Sequence, residues 1–239
     1  MRIHGFNKTT LLDYPGHVAA TVFTGGCNFR CPFCHNGELV LKPESQPLIP
    51  EEEVLAHLKK RRGVLEGVCI TGGEPTLQPD LADFIKKLKE LGYLVKLDTN
   101  GYHSKVLLRL LSEGLLDYVA MDIKASPENY AKAAGCPGLD FSRIEESIGI
   151  LKNCHIPYEF RTTVVQGLHT VSEFAAIGRL LEGSRAYYLQ SFRKDENVIQ
   201  AGFEAFPEDD MRRILEIVKS YIEEVQLRGI VREVRHFSS

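Results

Sequence analysis

Apolar, β-branched residues run almost without interruption at Val18–Phe23, Gly67–Thr71, Leu94–Asp98, Tyr118–Ile123, Tyr158–Val165 and Ala186–Ser191. Runs of this length and composition predict strands buried on both faces. Between them the apolar positions recur with a helical period. Helices are predicted at Pro50–Arg62, Asp80–Leu91, Ser104–Glu113, Ser142–Asn153 and Ser172–Leu181, with a long last helix over about Pro207–Val225. Leu81, Phe84, Ile85, Leu88 and Leu91 share one helical face. Start and stop chemistry agrees with these limits. Pro50 precedes Glu51-Glu52-Glu53, which suits the positive end of a helix dipole, and Gly92, Gly114 and Gly183 follow helix ends.

Six β/α alternations with apolar strands imply a parallel sheet covered by helices, either doubly wound or barrel-like. The polar residues choose between them. Thr24-Gly25-Gly26-Cys27, Gly72-Gly73-Glu74-Pro75 and Asp98-Thr99-Asn100-Gly101 follow the first three strands. Asp122-Ile123-Lys124, Arg161 and Gln190 mark the other three. All six strand ends carry polar chemistry, as in a barrel whose strands converge on one site. Asp98 and Asp122 fall on neighbouring strands, and two carboxylates that close need a positive group between them. Lys124, two residues beyond Asp122, points to the same face. Arg161 could face the lumen or extend outward.

At 239 residues the chain suits one large α/β domain, and no internal repeat argues for more. Its net charge of −3 gives no basic field for nucleic acid or anionic membrane. Lys59-Lys60-Arg61-Arg62 and Lys86-Lys87 fall on amphipathic helices and read as solvated faces. No apolar leader or spanning stretch is present, so a cytoplasmic, reducing location is expected. There, cysteines serve metals or catalysis more often than disulfides.

Half of the six cysteines fall within eight residues: Cys27, Cys31 and Cys34, a C-x3-C-x2-C run. Three thiolates can hold three corners of a cubane cluster and leave the fourth iron open. Structural zinc, which takes four N/S ligands, and an electron-transfer cluster are the other readings. Cys69 reads as a small core residue within a strand, and Cys154 ends a helix. Cys136 lies in the loop Gly135-Cys136-Pro137-Gly138, and no further cysteine run suggests a second cluster. His169 reads as a surface-loop residue.

The cysteine run after the first strand, followed by Gly72-Gly73-Glu74-Pro75 after the second, resembles the radical S-adenosylmethionine (SAM) superfamily. Asp13-Tyr14-Pro15-Gly16, Cys34-His35-Asn36, Asp98-Thr99-Asn100-Gly101 and Asp122-Ile123-Lys124 resemble glycyl-radical-enzyme activases, most of all those of anaerobic ribonucleoside-triphosphate reductase. The resemblance implies a partial (β/α)6, TIM-like barrel with parallel strands. A single domain would span 1–239, with its core at about 13–193 and a C-terminal helix and tail at 207–239. It implies a [4Fe-4S] cluster on Cys27, Cys31 and Cys34 whose open iron chelates SAM. One electron then cleaves SAM to methionine and a 5′-deoxyadenosyl radical. Phe33 would pack the adenine. Gly72 and Gly73 would let backbone approach the cofactor, and Glu74 would accept from its ammonium group. Lys124 would pair with its carboxylate or with Asp122, while Gln190 would meet its ribose or adenine. By likeness to pyruvate formate-lyase activase, Asp98, Thr99 and Asp122 would hold a monovalent cation. The implied partners are a glycyl radical enzyme and a flavodoxin or ferredoxin-type electron donor. A radical SAM enzyme acting on a small molecule, like 7-carboxy-7-deazaguanine synthase, is the alternative. A plain iron–sulfur electron carrier would leave the SAM-type motifs without a role.

Overall fold

The computed structural model describes residues 1–230. The end of the expected tail, 231–239, lies outside them. The strands are β1 (Ile3–Thr10), β2 (Ala19–Thr24), β3 (Gly67–Gly72), β4 (Leu94–Thr99), β5 (Tyr118–Asp122), β6 (Tyr158–Gln166), β7 (Ala186–Ser191), β8 (Glu204–Ala205) and β9 (Glu224–Arg228). The helices are α1 (Gly37–Leu41), α2 (Glu51–Lys60), α3 (Leu81–Glu90), α4 (Ser104–Ser112), α5 (Tyr130–Ala133), α6 (Ser142–Lys152), α7 (Phe174–Leu180) and α8 (Glu208–Lys219). Among the described residues no helix is long and apolar enough to cross a membrane.

One sheet runs β1-β2-β3-β4-β5-β6-β7-β9. Strands β2 to β7 follow in sequence order and pair in parallel, as the alternation predicts. The path ends at β1 and β9, so the barrel is partial. Its helical cover is amphipathic: α3 buries Leu81, Phe84, Ile85 and Leu88, each worth about 1.5–3 kcal/mol by transfer from water.

Two strands depart from expectation. Strand β1 pairs antiparallel with β2 and buries only Ile3 and Thr10 of its eight residues. With so few apolar positions it carries no strand pattern in sequence. The last helix was expected to reach Val225 but stops at Lys219. Glu224–Arg228 instead pairs in parallel with β7, burying Val225 while Glu224 and Gln226 face solvent. Both strands widen the sheet beyond the expected 13–193 core.

Parallel register aligns the site. Asp122 lies opposite Arg161, and Thr163 opposite Gln190. Their side chains therefore meet on one face of the sheet at its carboxyl edge.

Candidate active site

The carboxyl ends of the strands surround a cavity of about 240 Å3. Cys27, Cys31 and Cys34 line it together with Phe33, Gly72, Gly73, Asp98, Thr99, Asp122, Lys124, Arg161 and Gln190. The three thiols stand on the loop after β2 and make no disulfide. The Phe29 N–H points at Cys27 Sγ at 3.3 Å, and Asn100 Nδ2 lies 3.7 Å from the same sulfur. Burial pushes the Cys27 thiol up to about 12 and Cys31 to about 11; Cys34 is raised for the same reason. Such thiols become thiolates when a metal takes the place of the proton. Among the described residues no three His, Cys, Asp or Glu side chains converge closely enough to hold a single metal ion. A cubane asks for a different arrangement, one sulfur to each of three irons. The donor set fits that cluster.

Asparagines fasten this loop to its neighbours. Asn36 Nδ2 donates to Gly72 O at 2.8 Å, and Asn100 Nδ2 donates to Asn28 Oδ1 at 2.9 Å. Asn36 and Asn100 lie within motifs quoted above, yet the sequence assigns neither a role. The same holds for His35, which stacks on Phe192 with ring centroids 5.4 Å apart and meets Arg193 O through Nε2 at 2.7 Å. Asp13 and Tyr14 brace β2 and β3. Asp13 Oδ2 accepts from Thr21 Oγ1 at 2.5 Å, and the Tyr14 ring fills the space that a side chain at Gly67 would need.

The glycine pair is demanded by neighbouring backbone. A Cβ at Gly72 would sit 2.4 Å from the Thr24 backbone, and one at Gly73 would lie 2.0 Å from Gly26 O. Gly72 also has φ of +115°, a conformation open to glycine. The two glycines thus let β3 press against the cysteine loop, and both still line the cavity.

The expected role of Glu74 needs correction. Its carboxylate is fully buried and is absent from the cavity wall. Glu74 Oε1 accepts from Thr76 N at 3.1 Å, from Thr76 Oγ1 and from Thr99 Oγ1 at 2.8 Å. Its Oε2 accepts from Asn100 N at 2.7 Å. With its oxygens committed to protein donors, Glu74 ties the β3 and β4 loops together, and an ammonium group in the cavity would meet neither.

Arg161 stands between the two aspartates, where a cation was expected. Arg161 Nη1 donates to Asp98 Oδ2 at 3.2 Å, and its Nε donates to Asp122 Oδ1 at 3.0 Å. Lys124 Nζ holds Asp122 Oδ2 at 3.0 Å, and the buried Lys96 pairs with Asp98 Oδ1. Thr99 Oγ1 is turned away to Glu74. Burial alone would raise the Asp122 carboxyl, but Arg161 and Lys124 outweigh it and hold it down at about 2. The same balance, set by Arg161 and Lys96, lowers Asp98. Arg161 therefore faces the lumen.

His169 is another correction. It is buried, its Nδ1 accepts from Val165 N–H at 3.0 Å, and its Nε2–H donates to Lys124 O at 2.8 Å. It supports the segment carrying Lys124. Cys69 is buried in β3, and Cys154 Sγ points to Ile156 O at 3.4 Å; neither lines the cavity.

A profile of the radical SAM superfamily matches residues 21–181. The chain belongs to that superfamily. This radical SAM enzyme is 30% identical over 235 residues to a Methanocaldococcus jannaschii protein provisionally named a glycyl-radical enzyme activating enzyme, covering 95% of this chain and 96% of that one. It is 33% identical over 158 residues to the pyruvate formate-lyase-activating enzyme of Clostridium pasteurianum, covering 62% of this chain and 65% of that one. A provisionally named GTP 3′,8-cyclase of Thermococcus kodakarensis is 34% identical over 163 residues, 64% of this chain and 51% of the relative. Among solved structures, a radical SAM methyltransferase from Sphaerobacter thermophilus aligns with a TM-score of 0.69 at 17% identity, over 90% of this chain and 67% of that one. That likeness concerns the fold, which agrees with the expected partial barrel.

Proposed function

We propose that this radical SAM enzyme is a glycyl-radical-enzyme activase, with anaerobic ribonucleoside-triphosphate reductase as its partner and a flavodoxin or ferredoxin-type protein as its electron donor. The observation that carries the reading is the likeness to the M. jannaschii activating enzyme along nearly the whole of both chains. When bound, the cluster and SAM supply one-electron cleavage of the sulfonium bond, giving methionine and a 5′-deoxyadenosyl radical. The protein's part is to bind, orient and admit. Cys27, Cys31 and Cys34 would hold the cluster, and Phe33, Gly72, Gly73 and Gln190 would pack against SAM. Lys124 would receive its carboxylate. The transferred hydrogen would come from a glycine Cα of the partner.

A route for a partner loop supports this. A second cavity, of about 800 Å3, adjoins the first and shares His35, Asp98, Arg161, Thr163 and Gln190 with it. Leu11, Leu12, Asp13 and Pro15 form one wall, while Ser191, Arg228 and Gly229 belong to the other. Leu11 is 73% exposed and Leu12 90%, an apolar pair left uncovered by the described residues.

The test is anaerobic. Cluster-loaded protein with SAM and a reductant should yield 5′-deoxyadenosine, and adding the reductase should yield a glycyl-radical doublet by electron paramagnetic resonance. No cleavage would overturn the radical SAM reading; cleavage without the doublet would overturn the partner. Leu12→Asp should leave uncoupled SAM cleavage unchanged and lower glycyl-radical yield by about tenfold, the effect of losing one good interface anchor. Equal yields would remove the leucine rim from the partner contact.

The likeness to a GTP 3′,8-cyclase supports a second reading, chemistry on a small molecule, for which 7-carboxy-7-deazaguanine synthase is another template. That relative is matched over about half its length. Turnover of GTP or a deazapurine precursor, with no doublet on any reductase, would favour it.

A further inference from the structure

We infer that Arg161 serves as a built-in monovalent cation, so that the SAM carboxylate is received by Lys124 and Arg161 without help from a dissolved ion. This rests on SAM being the cofactor and is independent of the partner's identity. Two carboxylates at the ends of adjacent parallel strands cannot both stay ionised at low dielectric without a positive charge between them. Here the charge is covalently attached. The guanidinium spans Asp98 and Asp122 with separate nitrogens, a fork geometry that a lysine ammonium does not offer.

Each carboxylate oxygen an ion would need already faces a basic side chain. Asp98 Oδ1 faces Lys96 and its Oδ2 faces Arg161. Asp122 Oδ1 faces Arg161 and its Oδ2 faces Lys124. Thr99 Oγ1 donates to Glu74 and accepts from Gly101 N–H at 3.1 Å. A metal entering between the aspartates would have to displace the guanidinium that spans them and would meet its positive charge.

Charge accounting points to the ligand. Among these five side chains, Lys96, Arg161 and Lys124 outnumber Asp98 and Asp122 by one charge. Arg161 and Lys124 line the cavity, and Arg161 Nη2 has no protein acceptor among the described residues, while Lys124 Nζ has only Asp122. The unused donors of this pair match one carboxylate, the charge at the amino-acid end of SAM.

The experiment measures SAM binding to the anaerobically reconstituted protein by equilibrium dialysis, in potassium, sodium or tetramethylammonium chloride at equal ionic strength. Tetramethylammonium is too bulky to sit between two carboxylates. Wild-type affinity is expected to be the same in all three salts. Arg161→Ala is expected to bind SAM about tenfold or more weakly in tetramethylammonium, the scale of a lost hydrogen bond to a charged group, and to recover in potassium or sodium. A wild-type requirement for potassium or sodium would overturn the inference. So would Arg161→Ala binding as wild type does, or weakened equally in every salt, which would mark Arg161 as a link between strands and nothing more. Iron content confirms that the variant holds its cluster; if it does not, the wild-type salt series decides alone. No SAM binding by wild type in any salt would remove the cofactor reading, and this inference with it.

Discussion

Cys31→Ala is expected to abolish SAM cleavage and to leave the reconstituted protein without a stable four-iron cluster. Cys31 is the most buried of the three cavity cysteines, and its thiol is raised to about 11 by that burial. A thiolate there would need iron to compensate the cost of removing its charge from water. With alanine, the cluster keeps two protein ligands and must find a third. Cys136, on the loop after α5, is only partly buried, and it is absent from the cavity wall. Cys136→Ala should therefore keep both cluster and cleavage. Iron and sulfide analysis with 5′-deoxyadenosine assay checks the pair. Full cleavage by Cys31→Ala, or its loss in Cys136→Ala, would overturn the three-ligand assignment.

Glu74→Ala should produce the largest loss of stability of any single change at the site, about 3–5 kcal/mol, because a buried charged hub is removed and its donors are left unpaired. Thr76 N–H and hydroxyl, the Thr99 hydroxyl and Asn100 N–H all lose their acceptor. For a chain of this size that corresponds to a fall in melting temperature of about 6–20 °C. The damage should spread to the cluster, since Asn100 also reaches Asn28 and Cys27. Glu74→Gln keeps an acceptor oxygen and should lose less. Calorimetry of the metal-free protein separates this from cofactor binding: a Glu74→Ala variant that melts with wild type would refute the tie between the β3 and β4 loops.

The parallel strands were legible because each is an apolar run wrapped by helices of different period. Strand β1 was hidden, since His4, Gly5, Asn7, Lys8 and Thr9 lie on an edge and are half-buried or exposed. Strand β9 was hidden differently. Ile214, Val218, Ile222 and Val225 keep a helical spacing across the end of α8, and only Gln226 and Leu227 betray an alternation too short to separate from it. At the site, residue types announced the chemistry while their directions did not. Sequence shows that Asp98 and Asp122 need a positive partner; it does not say whether the partner is an ion or Arg161, because register decides that. The direction of Glu74 is hidden for the same reason. A carboxylate after a glycine pair can turn toward the cavity or back into its own loop, and the hydroxyls of Thr76 and Thr99 draw it back.

The unclosed path from β1 to β9 has a cost that a complete barrel avoids. A closed sheet has no edge; among the described residues this one keeps two, each a row of backbone groups able to pair with a foreign strand. Ile3 is partly covered by its bridge to Ile49, and Asn7 and Lys8 make the rest of β1 polar. On β9, Glu224 and Gln226 are exposed, and Arg228 is clamped to Glu159 by two bonds of 2.9 and 3.0 Å. Polar and charged side chains on both rims discourage strand-by-strand self-association. Copies of the protein therefore have little reason to zip together through the opening between these rims.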